Sequence, residues 1–209
     1  KTERTRPMST IDHIVFDIGK VLLHWDAELI YVDLIPDKAE RQHFLTHLCS
    51  PEWNLEQDRG RPWEEAENEL IAEHPDKADL IRAFRKNWVK SVPHHIEGTP
   101  EIMAGLIDAG HDVTMLTNFN QHTYREAEEK FPFLLKPRRI TVSGDVKLIK
   151  PDPAIYTHHA AEFDLKPENT LFIDDSEKNV AGAQACGWQA VLFTTAEKLE
   201  MDLADLGAS

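Results

Sequence analysis

The stretch His13-Ile14-Val15-Phe16-Asp17 and its counterpart Thr170-Leu171-Phe172-Ile173-Asp174-Asp175 decide the fold. Each is an apolar run that ends in acid, and continuous apolar runs of this length read as strands buried on both faces of a parallel sheet. Open α/β sheets bind ligands at the carboxyl ends of their strands, so both runs deliver carboxylates to that edge. Acids gathered there repel one another unless a cation lies between them. The pattern predicts a metal-dependent site.

Outward from these two runs the hydrophobic rhythm changes twice. Ile14 to Leu23 is strand-like, interrupted by Gly19, whereas Ala27 to Val92 carries helical spacing. Phe44, Leu45 and Leu48 share one helical face, as do Trp63, Ala66, Leu70 and Ile71, then Leu80, Ile81, Phe84 and Trp88. Pro36, Pro51, Pro62 and Pro75 punctuate these segments. After Pro93 helices and strands alternate. Thr99 is expected to cap a helix that Gly110 ends, with a strand over Asp112 to Leu116. A polar helix follows near Gln121 to Lys130, then a strand around Ile140 to Val142 and a helix opened by Asp152-Pro153. Leu171 to Ile173 is the next strand, Glu177 to Cys186 a helix stopped by Gly187, and Gln189 to Phe193 the last strand.

Strands separated by helices imply a parallel sheet with right-handed crossovers. The expected class is therefore α/β, a Rossmann-like parallel sheet with helices on both faces and an inserted α-helical cap. Residues 11–24 and 94–209 should form the α/β domain and 25–93 the cap, with a loose tail over 1–10. An insertion so close to the end of the first strand would sit over the ligand-binding edge as a lid.

The 209 residues, 41% of them hydrophobic, can bury a substantial core without disulfides. A net charge of -14 argues against nucleic acid or an anionic membrane as partner. Cys49 and Cys186 lack metal-ligand spacing, no apolar run has the length of a membrane span, and the start has no signal-peptide core. A cytoplasmic protein, as monomer or homodimer, is the expectation.

The chemistry collects at strand ends. Asp17 follows the first strand, Thr117-Asn118 the strand over 112–116, Lys150 precedes a helix, and Asp174-Asp175 end a late strand. Together they offer a nucleophilic carboxylate, a hydroxyl and an amide, a cation, and acids for a hard metal. Phosphoryl transfer needs that combination, because positioning and charge neutralisation supply most of its catalysis.

These four elements, in this order, resemble the four motifs of the haloacid dehalogenase superfamily: Phe16-Asp17-Ile18-Gly19-Lys20-Val21-Leu22, Leu116-Thr117-Asn118, Lys150-Pro151-Asp152, and Ile173-Asp174-Asp175 with Asn179. The helical insert resembles the type-one caps of that family. The resemblance implies a Mg²⁺-dependent phosphatase acting on a small phosphorylated metabolite through an aspartyl-phosphate. Asp17 would be nucleophile and metal ligand, Gly19 would lend a backbone carbonyl to the metal, and Asp174 would complete the protein ligands, with Asp175 as a further ligand or the holder of a metal-bound water. Thr117, Asn118 and Lys150 would bind the phosphoryl group, with Lys150 keeping Asp17 ionised.

One departure matters. Most phosphatases of this superfamily carry a second Asp two residues after the nucleophile as general acid and base, and here Gly19 stands in that place. His24 and Asp26 are candidates for the displaced role. A sugar 1-phosphate, with its easily departing anomeric oxygen, would suffer least. The first motif also resembles a branch that includes α-D-glucose-1-phosphatase and the phosphatase domain of soluble epoxide hydrolase.

Dehalogenation is the rival reaction, opposed by Asp174-Asp175, since haloacid dehalogenases have a hydroxyl-rich fourth motif and no metal. A mutase would need proton shuttling that Gly19 does not provide, and a third reading is a catalytically weak module that binds a phosphorylated ligand or a protein. In the lid, Trp53, Asp58 and Arg59 are candidates to face substrate, with Arg59 a partner for phosphate or a surface ion pair. Trp53, Trp63 and Trp88 read as cap core. His94-His95 and His158-His159 lack convergent ligands, so no zinc site is expected.

Overall fold

The computed structural model describes residues 10–208, so all but the last residue of the expected tail over 1–10 lies outside the described residues. Five parallel strands form the sheet in the order β3-β2-β1-β4-β5: β1 His13–Phe16, β2 Asp112–Thr117, β3 Arg139–Val142, β4 Thr170–Asp174 and β5 Gln189–Leu192. Register pairs Phe16 with Met115 on one side and Ile173 on the other, so Asp17 and Asp174 emerge side by side. The chain winds outward from β1 to β3, then returns to β4 on the opposite flank. The strand order thus reverses between β1 and β4, where crossovers diverge and leave a crevice.

Alternation along β1 divides the core. Ile14 and Phe16 join the cluster that runs into the helical insert, whereas Val15 packs with Leu116, Phe172, Tyr156 and Trp188 on the other face. This is the two-faced burial expected of continuous apolar strands.

Between β1 and β2 the chain forms α1 Glu28–Tyr31, α2 Lys38–His47, α3 Pro51–Asp58, α4 Trp63–Glu73 and α5 Ala78–Lys86. Their aromatic centre comprises Tyr31, Phe44, Trp53, Trp63 and Phe84, with the Tyr31–Phe44 and Trp53–Phe84 ring centroids 5.0 and 5.5 Å apart. Ser50 caps α3 through its hydroxyl, and Pro51 takes the first helical position, where a missing N–H costs nothing. The insert leaves and rejoins the sheet through two adjacent strands of backbone: His24 N donates to His94 O, Asp26 N to Ser91 O, and Ile96 N to Leu22 O.

The remaining helices are α6 Thr99–Asp108, α7 Gln121–Lys130, α8 Ser143–Val146, α9 Pro153–Phe163, α10 Glu177–Ala185 and α11 Ala196–Asp205. Two local expectations are corrected. The first strand stops at Phe16, and the chain then turns, with Lys20 at φ 58°. Gly98, at φ 86°, occupies the N-cap of α6, while Thr99 lies inside the helix and donates its hydroxyl to Ile96 O. A left-handed entry favours glycine over threonine there. Gly110 and Gly187 do follow the ends of α6 and α10, and Asp152 caps α9 by accepting from Ala154 N.

Candidate active site

The crevice between β1, β2 and β4 gathers the strand-end residues around one lysine. Lys150 Nζ lies 2.8 Å from Asp17 Oδ1 and 2.7 Å from Asp174 Oδ2, and it also donates to Leu116 O at 3.1 Å. All three side chains are buried. Lys150 is itself held by a reciprocal pair: Asn118 Oδ1 accepts from Lys150 N at 2.8 Å, and Asn118 Nδ2 donates to Lys150 O at 3.0 Å. Thr117 is buried at the end of β2 beside them. The carboxyl ends of three strands are thereby tied to one ammonium.

The two late acids are held differently. Asp174 accepts from Lys150, from Ser176 N at 2.9 Å, and from Asn179 Nδ2 at 3.0 and 3.1 Å on its two oxygens. Both oxygens are therefore engaged by protein. Asp175 is half-buried and opens onto a cavity of about 210 Å³ shared with Gly19, Lys20, Asn118 and Phe119. Carboxylate oxygens of Asp17, Asp174 and Asp175 all lie within 4.8 Å of one another.

That concentration of charge is costly. Burial pushes the Asp17 carboxyl up to about 7, against the pull of Lys150, and Asp174 adds to the push. Burial also raises Asp175, again with help from Asp174. Burial disfavours the Lys150 ammonium, but Asp17 and Asp174 outweigh it and hold the lysine above its ordinary range. Three carboxylates around one buried ammonium, with the exposed Lys20 also drawing on Asp175, leave a deficit of positive charge in the enclosed site, which a divalent cation fits. Mg²⁺ suits an all-oxygen set of one or two carboxylates completed by water. Asp17, Asp174 and Asp175 would hold it, each offering one carboxylate oxygen, with Gly19 lining the adjoining cavity.

Other sequence candidates lie elsewhere. Arg59 is absent from the cavity wall and faces Glu56 at 3.5 Å on a partly exposed surface. His24 sits in the neck of the insert, stacked on His94 with centroids 5.0 Å apart. Asp26 accepts from Glu28 N at 2.9 Å, in the turn that leads into α1. Neither His24 nor Asp26 lines the cavity. From the insert, Trp25, Asn54, Asp58 and Trp88 do. Trp88 is thus both buried packing and cavity wall, and Trp63 is core as expected. His159 is fully buried between the hydroxyls of Thr114 and Thr141, at 3.0 and 2.8 Å from its two ring nitrogens, a structural role.

The insert is fastened over this edge by one short segment. Asn120 Nδ2 donates to Gln57 O at 2.8 Å and Asn120 N to Asp58 Oδ1 at 3.1 Å. Ser143 Oγ donates to Asp58 O at 2.6 Å, and Lys147 Nζ to Gly60 O at 3.0 Å. Gly60 has φ 97°, and a Cβ there would stand 2.6 Å from the backbone oxygen of Gly144, so the segment requires glycine. Arg85 of α5 also pairs with Glu126 of α7.

Comparison with known proteins places the chain. The model of the family described as haloacid dehalogenase-like hydrolase matches residues 11–187. Flavin mononucleotide hydrolase 1 of Arabidopsis thaliana is 27% identical over 156 residues, covering 69% of this chain and 62% of that protein. Phosphoglycolate phosphatase of Nitrosococcus oceani is 30% identical over 118 residues, covering 54% of this chain and 50% of that protein. The chain thus spans between half and two thirds of the length of these two curated relatives. A haloacid dehalogenase family enzyme of Bacteroides thetaiotaomicron, crystallised with magnesium and inorganic phosphate, superposes with a TM-score of 0.72. The identity is 22%, with 88% of this chain and 95% of that one covered. The chain belongs to the haloacid dehalogenase-like hydrolases.

Proposed function

With that membership as premise, we propose that the chain is a Mg²⁺-dependent phosphatase of small phosphomonoesters working through an aspartyl-phosphate on Asp17. The observation that carries the reading is the buried Lys150 bridge between Asp17 and Asp174, with Asp175 completing an acidic trio that calls for a cation. Mg²⁺, when bound, neutralises charge on the transferring phosphoryl group and on the nucleophile. Asp17 attacks phosphorus, and Lys150 holds the nucleophile oriented and offsets charge on the phosphoryl oxygens. Asn118 positions Lys150 through its backbone, and Thr117 supplies a hydroxyl at the same edge. Residues 25–93 act as the cap, excluding bulk water and selecting the leaving group.

The cavity's size and its aromatic walls, Trp25, Trp88 and Phe119, favour a small substrate with an apolar or sugar-ring face. This agrees with the phosphatase and hydrolase names of the relatives and with the branch suggested by Asp17-Ile18-Gly19-Lys20-Val21. Dehalogenation is disfavoured by the same acidic trio, which has no task in a metal-free displacement of halide.

The test is phosphate release from a panel of phosphomonoesters with and without Mg²⁺. Activity should require the metal, and Asp17→Asn should lower it by on the order of 10⁴ or more while the fold persists. Halide release from a 2-haloacid without phosphate release would overturn the reading.

A further inference from the structure

The site described so far has a nucleophile but no proton donor. Gly19 occupies a position where a built Cβ meets nothing within 4 Å, so open space stands beside Asp17. The same cavity is closed from above by Asp58, the last residue of α3. Its Oδ1 accepts from Asn120 N at 3.1 Å and its Oδ2 from Asn54 Nδ2 at 2.9 Å. Both partners are neutral, and among the described residues no cationic side chain pairs with it. Asp26 is engaged in a local turn with Glu28 N and lies off the cavity wall, and Asp174 and Asp175 belong to the acidic trio. That leaves Asp58 as the one carboxyl on the cavity wall outside the trio.

We propose that Asp58, carried by the helical insert, is the general acid and base that residue 19 does not provide. The inference rests on the phosphatase reading above. Enclosure of the carboxyl raises it well above the usual carboxylate range, which suits a group that begins the cycle with its proton. In the first step Asp17 forms an O–P bond as the bond from phosphorus to the leaving oxygen breaks, and that oxygen takes the proton of Asp58. The alcohol departs and Asp58 is left as a carboxylate. In the second step Asp58 removes a proton from a water that attacks phosphorus, which frees Asp17 and phosphate and restores the Asp58 proton. Because Asn120, Ser143 and Lys147 fasten residues 57–60 to the sheet edge, the acid is in place only with the insert seated. Proton transfer is thereby tied to cap closure.

The experiment compares p-nitrophenyl phosphate, whose phenolate leaves unaided, with methyl phosphate, whose alkoxide needs a proton. Asp58→Asn retains an oxygen to accept from Asn120 N but carries no acid. Its kcat/KM, which reports the first step, should fall by about 10² to 10³ for methyl phosphate and by less than about threefold for p-nitrophenyl phosphate. The same variant should release a burst of p-nitrophenolate, because hydrolysis of the aspartyl-phosphate has lost its base. Asp26→Asn should leave the ratio between the two substrates unchanged. Equal losses on both substrates would reduce Asp58 to a fastening residue and overturn the proposal, as would no loss on either. Either result, with Asp17→Asn still inactive, leaves the phosphatase reading standing. Absence of phosphate release by the unaltered protein would overturn both. Should Asp58→Asn not fold, the unaltered protein decides: kcat/KM nearly independent of leaving-group basicity supports an acid, and a steep decline refutes one.

Discussion

The sheet edge and the segment of the insert above it hold enclosed acid with different partners. At the edge, Asp17 and Asp174 are held by a shared ammonium. Across the cavity, Asp58 rests on an amide N–H and a side-chain amide, with no cation. Burial raises both the Asp17 and the Asp58 carboxyl, but at Asp17 a buried ammonium pulls against the rise, whereas at Asp58 only the backbone N–H of Asn120 does. Two carboxyls of one residue type are thus given different chemistry by their surroundings alone.

The sharpest way to break this contrast is to remove the ammonium. Lys150→Met should destabilise the metal-free protein by about 3 to 5 kcal/mol at neutral pH, because it leaves two buried carboxylates uncompensated. The deficit should shrink as pH falls below 7 and Asp17 takes up its proton. Urea unfolding at pH 7 and pH 5 measures both effects, and an equal deficit at the two values would mean that Lys150 matters by packing rather than charge.

A second test concerns burial without any charged partner. Burial lowers His159 to about 3 from its ordinary 6.5. The unfolded chain binds a proton below 6.5 and the folded one does not. The contribution of His159 is therefore complete above pH 6.5 and lost as pH falls toward 3, about 2 kcal/mol having gone by pH 5. Asp17, raised to about 7, works in the reverse direction: it binds its proton in the folded state first, so its burden on stability is relieved as pH falls from 7 toward 4. The informative quantity is the difference in stability between the protein and His159→Gln across pH 5 to 7, which should narrow on acidification.

The smallest effect separates exposed from enclosed charge in the insert. Arg59→Ala should change kcat/KM by less than about threefold and stability by less than about 1 kcal/mol, since its partner Glu56 is exposed. A large rise in KM would show that Arg59 reaches the substrate after all.

Much of this was legible in the chain because strand-end residues announce themselves locally. An apolar run buried on both faces can end only at the sheet edge, so Asp17, Thr117 and Asp174 could be placed from their own neighbours. The helical insert was equally legible from its period. The division of labour between Asp174 and Asp175 was not, since it depends on which of two adjacent acids Lys150 and Asn179 reach. His24 and Asp26 looked suitable for proton transfer because they are close to Asp17 in sequence. Folding sends them into the neck and a local turn, while Asp58 comes to the cavity held by a hydrogen bond from Asn120, sixty-two residues later.

The sequence by itself determined that this is a parallel α/β sheet with a helical insertion and a strand-end constellation of Asp17, Thr117-Asn118, Lys150 and Asp174-Asp175. Hydrophobic period and turn chemistry are local properties, and they suffice for that. Only the tertiary structure decided which acids share a cation, which one opens to the cavity, and which residue of the insert closes it. Ionisation depends on distance and enclosure, and both are fixed only when segments far apart in the chain are packed against one another.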